Sequence, residues 1–313
     1  MTRPSFSLLP WSQATDWPSY AAIAQRAEAL GFDTVWTWDH LYAIFGDPHQ
    51  PIFEGYTTLG AWAALTKRIR IGLMVGANPF RNPGLVAKSI VTLDHISGGR
   101  AVCGMGGAWF GFEADAFGIE FGSGFGERLD WLDESVAIIS GLLDGQTVTS
   151  DGARYRTREL VARPRPVQAH LPIMIGGSGE KKTLRTLARY GDEWNAFGTP
   201  EVLAHKKAVL EAHCADVGRD PAVIDKTVGC KVMIRDSEAE ARRDWLALLD
   251  ANAMTLEEGQ RDTSWWFGPP EAIAERMAAY RAIGFDGFMI EEPAPFDPET
   301  IERLMTEVAP AVA

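Results

Sequence analysis

An acidic residue and a histidine follow a short run of β-branched and aromatic residues near the start of the chain. The stretch Gly31–His40 predicts a buried strand, Asp33–Asp39, with Asp39 and His40 at its carboxyl end. Open and barrel-shaped α/β folds bind their ligands at that end of their strands. Because histidine titrates nearest neutral pH, His40 is a candidate proton carrier at a reacting centre. The structural alternative is that Asp39 caps a helix beside a packed His40.

A second candidate site is the glycine-rich segment Gly176-Gly177-Ser178-Gly179, which stands between a predicted strand and a predicted helix. Converging backbone N–H groups and the partial positive charge of a helix N-terminus suit a phosphate group. Lys181 and Lys182 add positive charge. The spacing of a Walker A loop is absent. The alternative is a tight strand-to-helix turn with no ligand.

Further glycines follow the fourth predicted strand, at Gly104, Gly106 and Gly107. They leave room for a flat group to approach the backbone, although the sequence lacks the third glycine of a dinucleotide fingerprint. Aromatic residues that could wall such a slot are Trp36, Trp38, Trp109, Phe110 and Trp194, although barrels also pack aromatic residues, and we interpret Trp36 in that way. A flat slot beside a phosphate site predicts a cofactor with an aromatic ring and a phosphorylated tail.

Composition narrows the function classes. The 313 residues include 30 Lys+Arg and 42 Asp+Glu, a net charge of −12 that disfavours nucleic-acid binding. Cys103, Cys214 and Cys230 lie far apart without metal-ligand spacing, which predicts no disulfide framework, no metal site and a reduced cytoplasm. The chain shows no signal-peptide pattern. No segment approaches the roughly 20 apolar residues that span a bilayer, so we expect no membrane partner.

Strand-like and helix-like segments alternate along the chain and must position these residues. The predicted strands are Ser5–Leu9, Asp33–Asp39, Ile69–Val75, Ala101–Met105, Pro172–Ile175, Glu193–Ala196, Lys226–Arg235 and Gly287–Glu291. The predicted helices are Trp17–Leu30, Thr57–Thr66, Pro83–Ile96, Gly126–Leu143, Lys181–Tyr190, Glu201–Val217, Ser237–Ala251, Pro270–Ile283 and Pro298–Val312. Eight strand–helix units predict an α/β fold, a (β/α)8 TIM barrel forming a single domain over residues 1–313. A doubly wound sheet is the alternative.

Two segments interrupt this alternation. Thr147–Gln168 contains an Asp-Gly turn and predicts a hairpin inserted after the fourth helix. Ala253–Trp266 predicts a long irregular loop, of the kind that serves as a lid or a partner surface.

Along nearly its whole length the chain resembles the luciferase-like flavin and deazaflavin oxidoreductases. The matching segments are Ala27–Trp36, Trp38–His40, Glu54–Gly60, Arg70–Gly72, Phe80–Pro83, Thr92–Arg100, Gly104–Trp109 and Pro172–Gly179. The resemblance implies a barrel with an insertion, often a homodimer, that holds FMN or the deazaflavin coenzyme F420. Compact members similar to this chain mostly use coenzyme F420 to exchange a hydride with a small-molecule substrate.

The resemblance also implies roles for individual residues. Asp39 and His40 would contact the cofactor and the substrate, with His40 as the proton carrier. Met74 and Val75 would form a bulge with a cis non-prolyl peptide behind the cofactor ring. The remaining cofactor contacts implied by the family are Gly76, Ala77, Gly106, Gly107, Gly176, Gly177 and Ser178. The predicted substrate pocket consists of Trp38, Ile44, Trp109 and Trp194.

Two positions depart from the deazaflavin-dependent sugar-phosphate dehydrogenases. Where those enzymes carry an acidic glutamate after the fourth-strand glycines this chain has Trp109, and Ile44 replaces a tryptophan that follows the histidine. The nearest alternative carboxylates are Glu54, Glu113 and Glu292. An apolar mouth that includes Phe45, Phe110, Trp265 and Trp266 indicates a less charged substrate, such as an alcohol, a ketone or an activated alkene; these aromatics would otherwise face a dimer partner.

The sequence therefore predicts a coenzyme F420-dependent oxidoreductase in which His40 donates or accepts a proton. One alternative is an FMN-dependent monooxygenase that uses O₂ and reduced flavin. The other is a cofactor-binding protein without turnover, since a fold does not fix a function.

Overall fold

A closed barrel of eight parallel strands forms the centre of the computed structural model, which describes residues 3–312. The barrel strands, in chain order, are Ser5–Pro10, Thr34–Thr37, Arg70–Leu73, Ala101–Gly106, Ile173–Gly176, Glu193–Ala196, Asp225–Ile234 and Gly287–Glu292. Each strand pairs with the next, and the eighth pairs with the first. The (β/α)8 prediction is confirmed, and closure of the sheet excludes the doubly wound alternative. Residues 1, 2 and 313 lie outside the described residues, so the domain extent of 1–313 stays a prediction.

Helices surround the barrel and bury the outer faces of its strands, which is why most strand residues are inaccessible to solvent. Local signals set several helix ends: Asp16 caps the first helix by accepting from the amide of Ser19, and Gly31 ends it at φ +87°. The helices are Trp17–Leu30, Gly55–Leu65, Pro83–Ser97, Gly111–Ala116, Phe125–Leu143, Thr183–Tyr190, Pro200–Val217, Glu238–Ala251, Leu256–Arg261, Pro270–Arg281 and Pro298–Arg303, the last continuing through a π-helical turn to Ala311.

The hairpin insertion is confirmed as an antiparallel pair, Val148–Asp151 with Arg156–Leu160. The prediction of an irregular loop over Ala253–Trp266 is wrong. This segment contains the helix Leu256–Arg261, which starts at a capping box between Thr255 and Glu258. The strand Trp265–Gly268 then pairs with the end of the seventh barrel strand. The helix was missed because it is short and polar, so it shows no apolar periodicity.

Because the eight strands are parallel, the loops after their carboxyl ends gather on one face of the barrel. Cys103, Cys214 and Cys230 are all buried and unpaired. Within residues 3–312, no helix combines the length and the apolar character needed to cross a bilayer.

Candidate active site

A cavity of about 360 Å³ opens at the carboxyl ends of the barrel strands. Most of the residues predicted for the site contribute to its wall: Trp38, Asp39, His40, Ile44, Met74, Val75, Ala77, Gly106, Gly107, Trp109, Gly176 and Gly177. The wall also contains Phe45, which was predicted for the apolar mouth. Its residues outside the predicted set are Leu9, Ala108, Phe125, Asn195, Phe197, Met289 and Glu291.

Three predicted site residues are absent from the cavity wall as described within residues 3–312. Trp194 is fully buried, so its prediction as a substrate-pocket residue is wrong: its Nε1 donates to the carbonyl of Gly177 at 2.8 Å and its ring packs on Phe285. Gly76 lies against the neighbouring strand, where an added Cβ would stand 2.8 Å from the carbonyl oxygen of Gly104. Ser178 is partly exposed in the turn after Gly177.

His40 forms a dyad with a buried carboxylate. Its Nδ1 lies 2.7 Å from Oε1 of Glu113, whose side chain is 1% exposed. The other oxygen of Glu113 accepts the amide of Leu41 at 2.6 Å and that of Tyr42 at 3.3 Å. A carboxylate held by two backbone donors orients the imidazole and fixes the proton on Nδ1. No described residue bonds Nε2, which is therefore left to exchange a proton at the cavity.

Asp39 lies beside His40 in the wall and is 2% exposed. Its Oδ2 accepts the amide of Ala77 at 2.8 Å and Arg81 at 2.6 Å, which rules out the helix-cap alternative. Burial raises the pKa of Asp39 above its ordinary value, although the Arg81 guanidinium opposes the rise. Its Oδ1 is buried and has no partner among the described residues. An unsatisfied buried polar atom costs about 1–3 kcal/mol, so this oxygen is suited to a polar group of a ligand.

The peptide between Met74 and Val75 is cis, as the family resemblance implies. The Val75 side chain fills the space beside two glycines: a Cβ on Gly106 would collide with Cγ2 of Val75, and one on Gly176 would lie 2.7 Å from Cγ1. The sequence interpretation was that these glycines leave room for a flat ligand to approach the backbone. The structure shows instead that Gly104 and Gly106 make room for neighbouring protein atoms.

The glycine-rich turn has the backbone expected of a tight strand-to-helix connection. Gly177 has φ +111°, a conformation that disfavours any side chain, and its amide donates to the carbonyl of Asn195 at 3.0 Å. The amides of Ser178 and Gly179 have no acceptor among the described residues. Lys182 is not free to help, because its Nζ lies 2.7 Å from Oδ2 of Asp130. The amides of Ser178 and Gly179 are therefore candidate donors to an anion in this turn.

Glu291 in the cavity wall belongs to a buried ion cluster. Oε2 of Glu291 lies 3.0 Å from both Lys231 Nζ and Trp11 Nε1. Lys231 also pairs with Asp262 at 2.9 Å. Sequence reasoning placed Glu291 at the carboxyl end of the eighth predicted strand, Gly287–Glu291, without assigning it to the site. The signal was the alternation of strand residues, which turns Glu291 and Glu292 to opposite faces.

The other candidate carboxylates do not face the cavity. Glu292 is buried, accepts the amide of Asp297 at 2.8 Å, and has a pKa raised well above its ordinary value by burial. Glu54 caps a helix and binds Arg81 at 2.7 Å.

The aromatic residues divide between the mouth and the core. Trp109 is 59% exposed and its ring centroid lies 5.8 Å from that of His40. Phe45 lines the cavity and stacks on Trp11. Trp36 is buried, as interpreted from the sequence, whereas the prediction that Trp265 and Trp266 belong to the mouth is wrong because both are buried in core clusters.

No three His, Cys, Asp or Glu side chains among residues 3–312 converge in the way that a bound metal ion requires. The prediction of a site without a metal stays a prediction.

Comparison with known proteins gives a family and several relatives. A family model described as luciferase-like monooxygenase matches residues 6–262. An F420-dependent glucose-6-phosphate dehydrogenase of Beutenbergia cavernae is 28% identical over 93% of this chain and 91% of its own length. An F420-dependent hydroxymycolic acid dehydrogenase of Mycobacterium tuberculosis is 32% identical over 71% of this chain and 60% of its own length. An FMNH(2)-dependent dimethylsulfone monooxygenase of Pseudomonas putida is 25% identical over 84% and 80%.

Among solved structures, an F420-dependent secondary alcohol dehydrogenase in complex with an F420-acetone adduct superposes with a TM-score of 0.84. The alignment covers 100% of both chains at 20% identity, a likeness that shows the shared fold.

Proposed function

We propose that the chain, which belongs to the luciferase-like monooxygenase family, is a coenzyme F420-dependent oxidoreductase. Its reaction would exchange a hydride between the coenzyme and a small organic substrate, either an alcohol or ketone or an activated alkene. The names of two relatives support the choice of coenzyme.

The observation that carries the proposal is the His40–Glu113 dyad at a cavity whose wall is mostly apolar. When bound, coenzyme F420 supplies the carbon that accepts or gives the hydride. Oxidation of an alcohol releases a proton together with the hydride, and Nε2 of His40 can accept that proton. Glu113 then stabilises the imidazolium that forms, and ketone reduction uses the same groups in reverse.

The residues that would hold the coenzyme fit it in three respects. Oδ1 of Asp39 is a buried polar atom without a partner among the described residues and would bind a polar group of the coenzyme. The amides of Ser178 and Gly179 offer two donors to a phosphate in the glycine-rich turn. The cis peptide between Met74 and Val75 lines the cavity and would contact the coenzyme. We propose as coenzyme contacts Asp39, Met74, Val75, Gly76, Ala77, Gly106, Gly107, Gly176, Gly177 and Ser178, and as substrate contacts Trp38, Ile44 and Trp109.

An FMN-dependent monooxygenase is the second candidate, and a relative named for FMNH(2) favours it. Such an enzyme would consume O₂ and need a reductase partner or NAD(P)H. The two candidates differ in the coenzyme that the apo-protein binds and in the fate of oxygen.

The decisive experiment is a fluorescence titration of the purified apo-protein with coenzyme F420 and, separately, with FMN. Tight binding of coenzyme F420, followed by its reduction with an alcohol under anaerobic conditions, is the expected result. Tight binding of FMN alone, with oxygen uptake on reduction, would replace the proposal with the monooxygenase. Binding of coenzyme F420 without its reduction or oxidation by any alcohol, ketone or unsaturated carbonyl would favour a binding protein without turnover.

We also propose that the chain forms a homodimer and acts in the cytoplasm on small molecules, without nucleic-acid partners. The family resemblance supports the dimer, and the net charge of −12 supports the absence of nucleic acid. Analytical ultracentrifugation tests the dimer.

A further inference from the structure

We propose that Glu291 is a substrate-recognition residue that selects a neutral hydroxyl or a protonated amine and disfavours an anionic substrate. The inference rests on the proposed function for the identity of the site and extends it to the class of substrate. The carboxylate of Glu291 lies in the cavity wall, with one oxygen fixed by protein donors and the other without a protein donor.

The orientation of Glu291 is set from behind. Its Oε2 receives Lys231 and the indole N–H of Trp11, each at 3.0 Å, and Trp11 is itself fixed by stacking on Phe45 with ring centroids 4.3 Å apart. No donor in the described part of the chain reaches Oε1. One oxygen is therefore held rigidly by the protein, while the other remains available at the cavity.

The charges around Glu291 do not sum to zero. Lys231 is 4% exposed and pairs with Glu291 and Asp262, so two carboxylates share one ammonium. Burial alone would lower the pKa of Lys231, but these two carboxylates raise it above its ordinary value and keep the ammonium charged. One ammonium and two carboxylates give the cluster a formal net charge of −1, and Glu291 is its member that lines the cavity.

Apart from His40, no side chain in the described wall can carry a positive charge. Among the described residues of the wall, none is a lysine or an arginine. Arg81 lies behind Asp39 and is already bound to Asp39 and Glu54. A phosphate or carboxylate on the substrate would thus enter a low-dielectric site without a counter-charge, which is costly. A hydroxyl or ammonium group would instead complete the hydrogen bonding of Glu291.

The remainder of the wall near this carboxylate is apolar. Leu9, Ile44, Phe45 and Met289 all line the cavity. The substrate class that fits is an apolar body carrying a hydrogen-bond donor in addition to the carbon that reacts.

The test uses three ligands with the same ring: cyclohexanol, cyclohexylammonium and cyclohexanecarboxylate. Each is titrated calorimetrically into the apo-protein and into the protein saturated with coenzyme F420. The hydroxyl and ammonium ligands should bind at least about tenfold more tightly than the carboxylate, the range expected for a hydrogen bond to a buried charge. Equal or tighter binding of the carboxylate, or no binding of all three, would overturn the inference.

Glu291→Gln should lose about tenfold in affinity for the ammonium ligand and narrow its margin over the carboxylate. Glu291→Asp, which keeps the charge opposite Lys231, should retain the order of the ligands and serves if the glutamine variant does not fold. Glu292→Gln is the matched control, because the neighbouring carboxyl is buried away from the cavity and should leave all three affinities unchanged. Unchanged ligand selectivity in a folded Glu291→Gln protein would refute the role of Glu291.

The apo-protein titrations distinguish an error in the proposed function from an error in the role of Glu291. If the proposed function is wrong, the protein will fail to bind coenzyme F420 while the order of the ligand affinities persists. Failure of the inference alone would appear as normal coenzyme binding with no dependence of ligand selectivity on Glu291.

Discussion

The substitution Glu113→Gln tests the dyad most directly, because it keeps the shape of the side chain and removes its charge. In the native site one oxygen of Glu113 lies 2.7 Å from Nδ1 of His40, and the other accepts the amides of Leu41 and Tyr42. A glutamine cannot satisfy both sides. Its single carbonyl oxygen must serve either the two amides or the imidazole.

The two backbone donors decide the orientation. They are fixed, and the closer one lies at 2.6 Å, so the glutamine oxygen should turn towards them and its amino group towards Nδ1. Nδ1 then accepts a hydrogen bond, and the proton of the neutral imidazole moves to Nε2. This tautomer cannot accept a proton from a substrate hydroxyl. The imidazolium also loses a charge-assisted hydrogen bond, worth about 1–1.5 kcal/mol more than a neutral one.

Wrong tautomer and lost charge together should lower kcat for alcohol oxidation by roughly 10²–10⁴, the usual contribution of general acid–base catalysis. Steady-state kinetics, with coenzyme affinity measured separately, tests this expectation.

A double-mutant cycle supplies the refutation. His40→Ala combined with Glu113→Gln should be no slower than the slower single variant, because the two side chains act as one unit. Multiplicative losses in the double variant, or a Glu113→Gln enzyme within threefold of wild type, would show that the dyad does not carry the proton. Glu134→Gln is the control: Glu134 likewise accepts backbone amides, those of the hairpin at Ala153 and Arg154, but away from the cavity.

Four further outcomes follow from the site and its supports. His40→Ala should lower kcat by about 10²–10⁴ while sparing coenzyme affinity, as measured by steady-state kinetics and fluorescence titration. Gly177→Asp should weaken coenzyme binding in the same titration, because a side chain is disfavoured at φ +111° and its charge repels a phosphate. Gly106→Ala should reduce the free energy of unfolding in urea by about 1–3 kcal/mol, since its Cβ would collide with Val75. Glu292→Gln should flatten the fall of Tm at rising pH: the buried acid stabilises the fold fully below its ordinary pKa, and this stability is lost as pH rises through its raised pKa.

A specific result would refute each of these predictions. Normal turnover in His40→Ala would remove the histidine from the mechanism, and normal coenzyme affinity in Gly177→Asp would misplace the phosphate. Gly60→Ala, whose added Cβ meets open space on a helix, is the control for Gly106→Ala and should not destabilise the protein. A Glu292→Gln protein with the same pH dependence as wild type would mean that Glu292 does not titrate in the fold.

Local chemistry explains why much of this protein could be predicted from its sequence. Strand residues such as those around Val35 are apolar in short runs, and helix ends carry their own signals, as Asp16 and Gly31 do at the first helix. Once eight such units alternate, parallel strands place every following loop on one face. Asp39 and His40 could therefore be assigned to the site from their position after a strand.

Long-range pairing decided the rest, because no local pattern specifies it. His40 meets Glu113 across 73 positions of the chain, and Trp11 meets Glu291 across 280. Trp194 has the composition of a pocket residue, yet the register of its strand buries the ring behind the glycine-rich turn. Sequence determines which residues leave the ends of the strands; barrel closure and strand register determine which of them face the cavity and which carboxylate meets which cation.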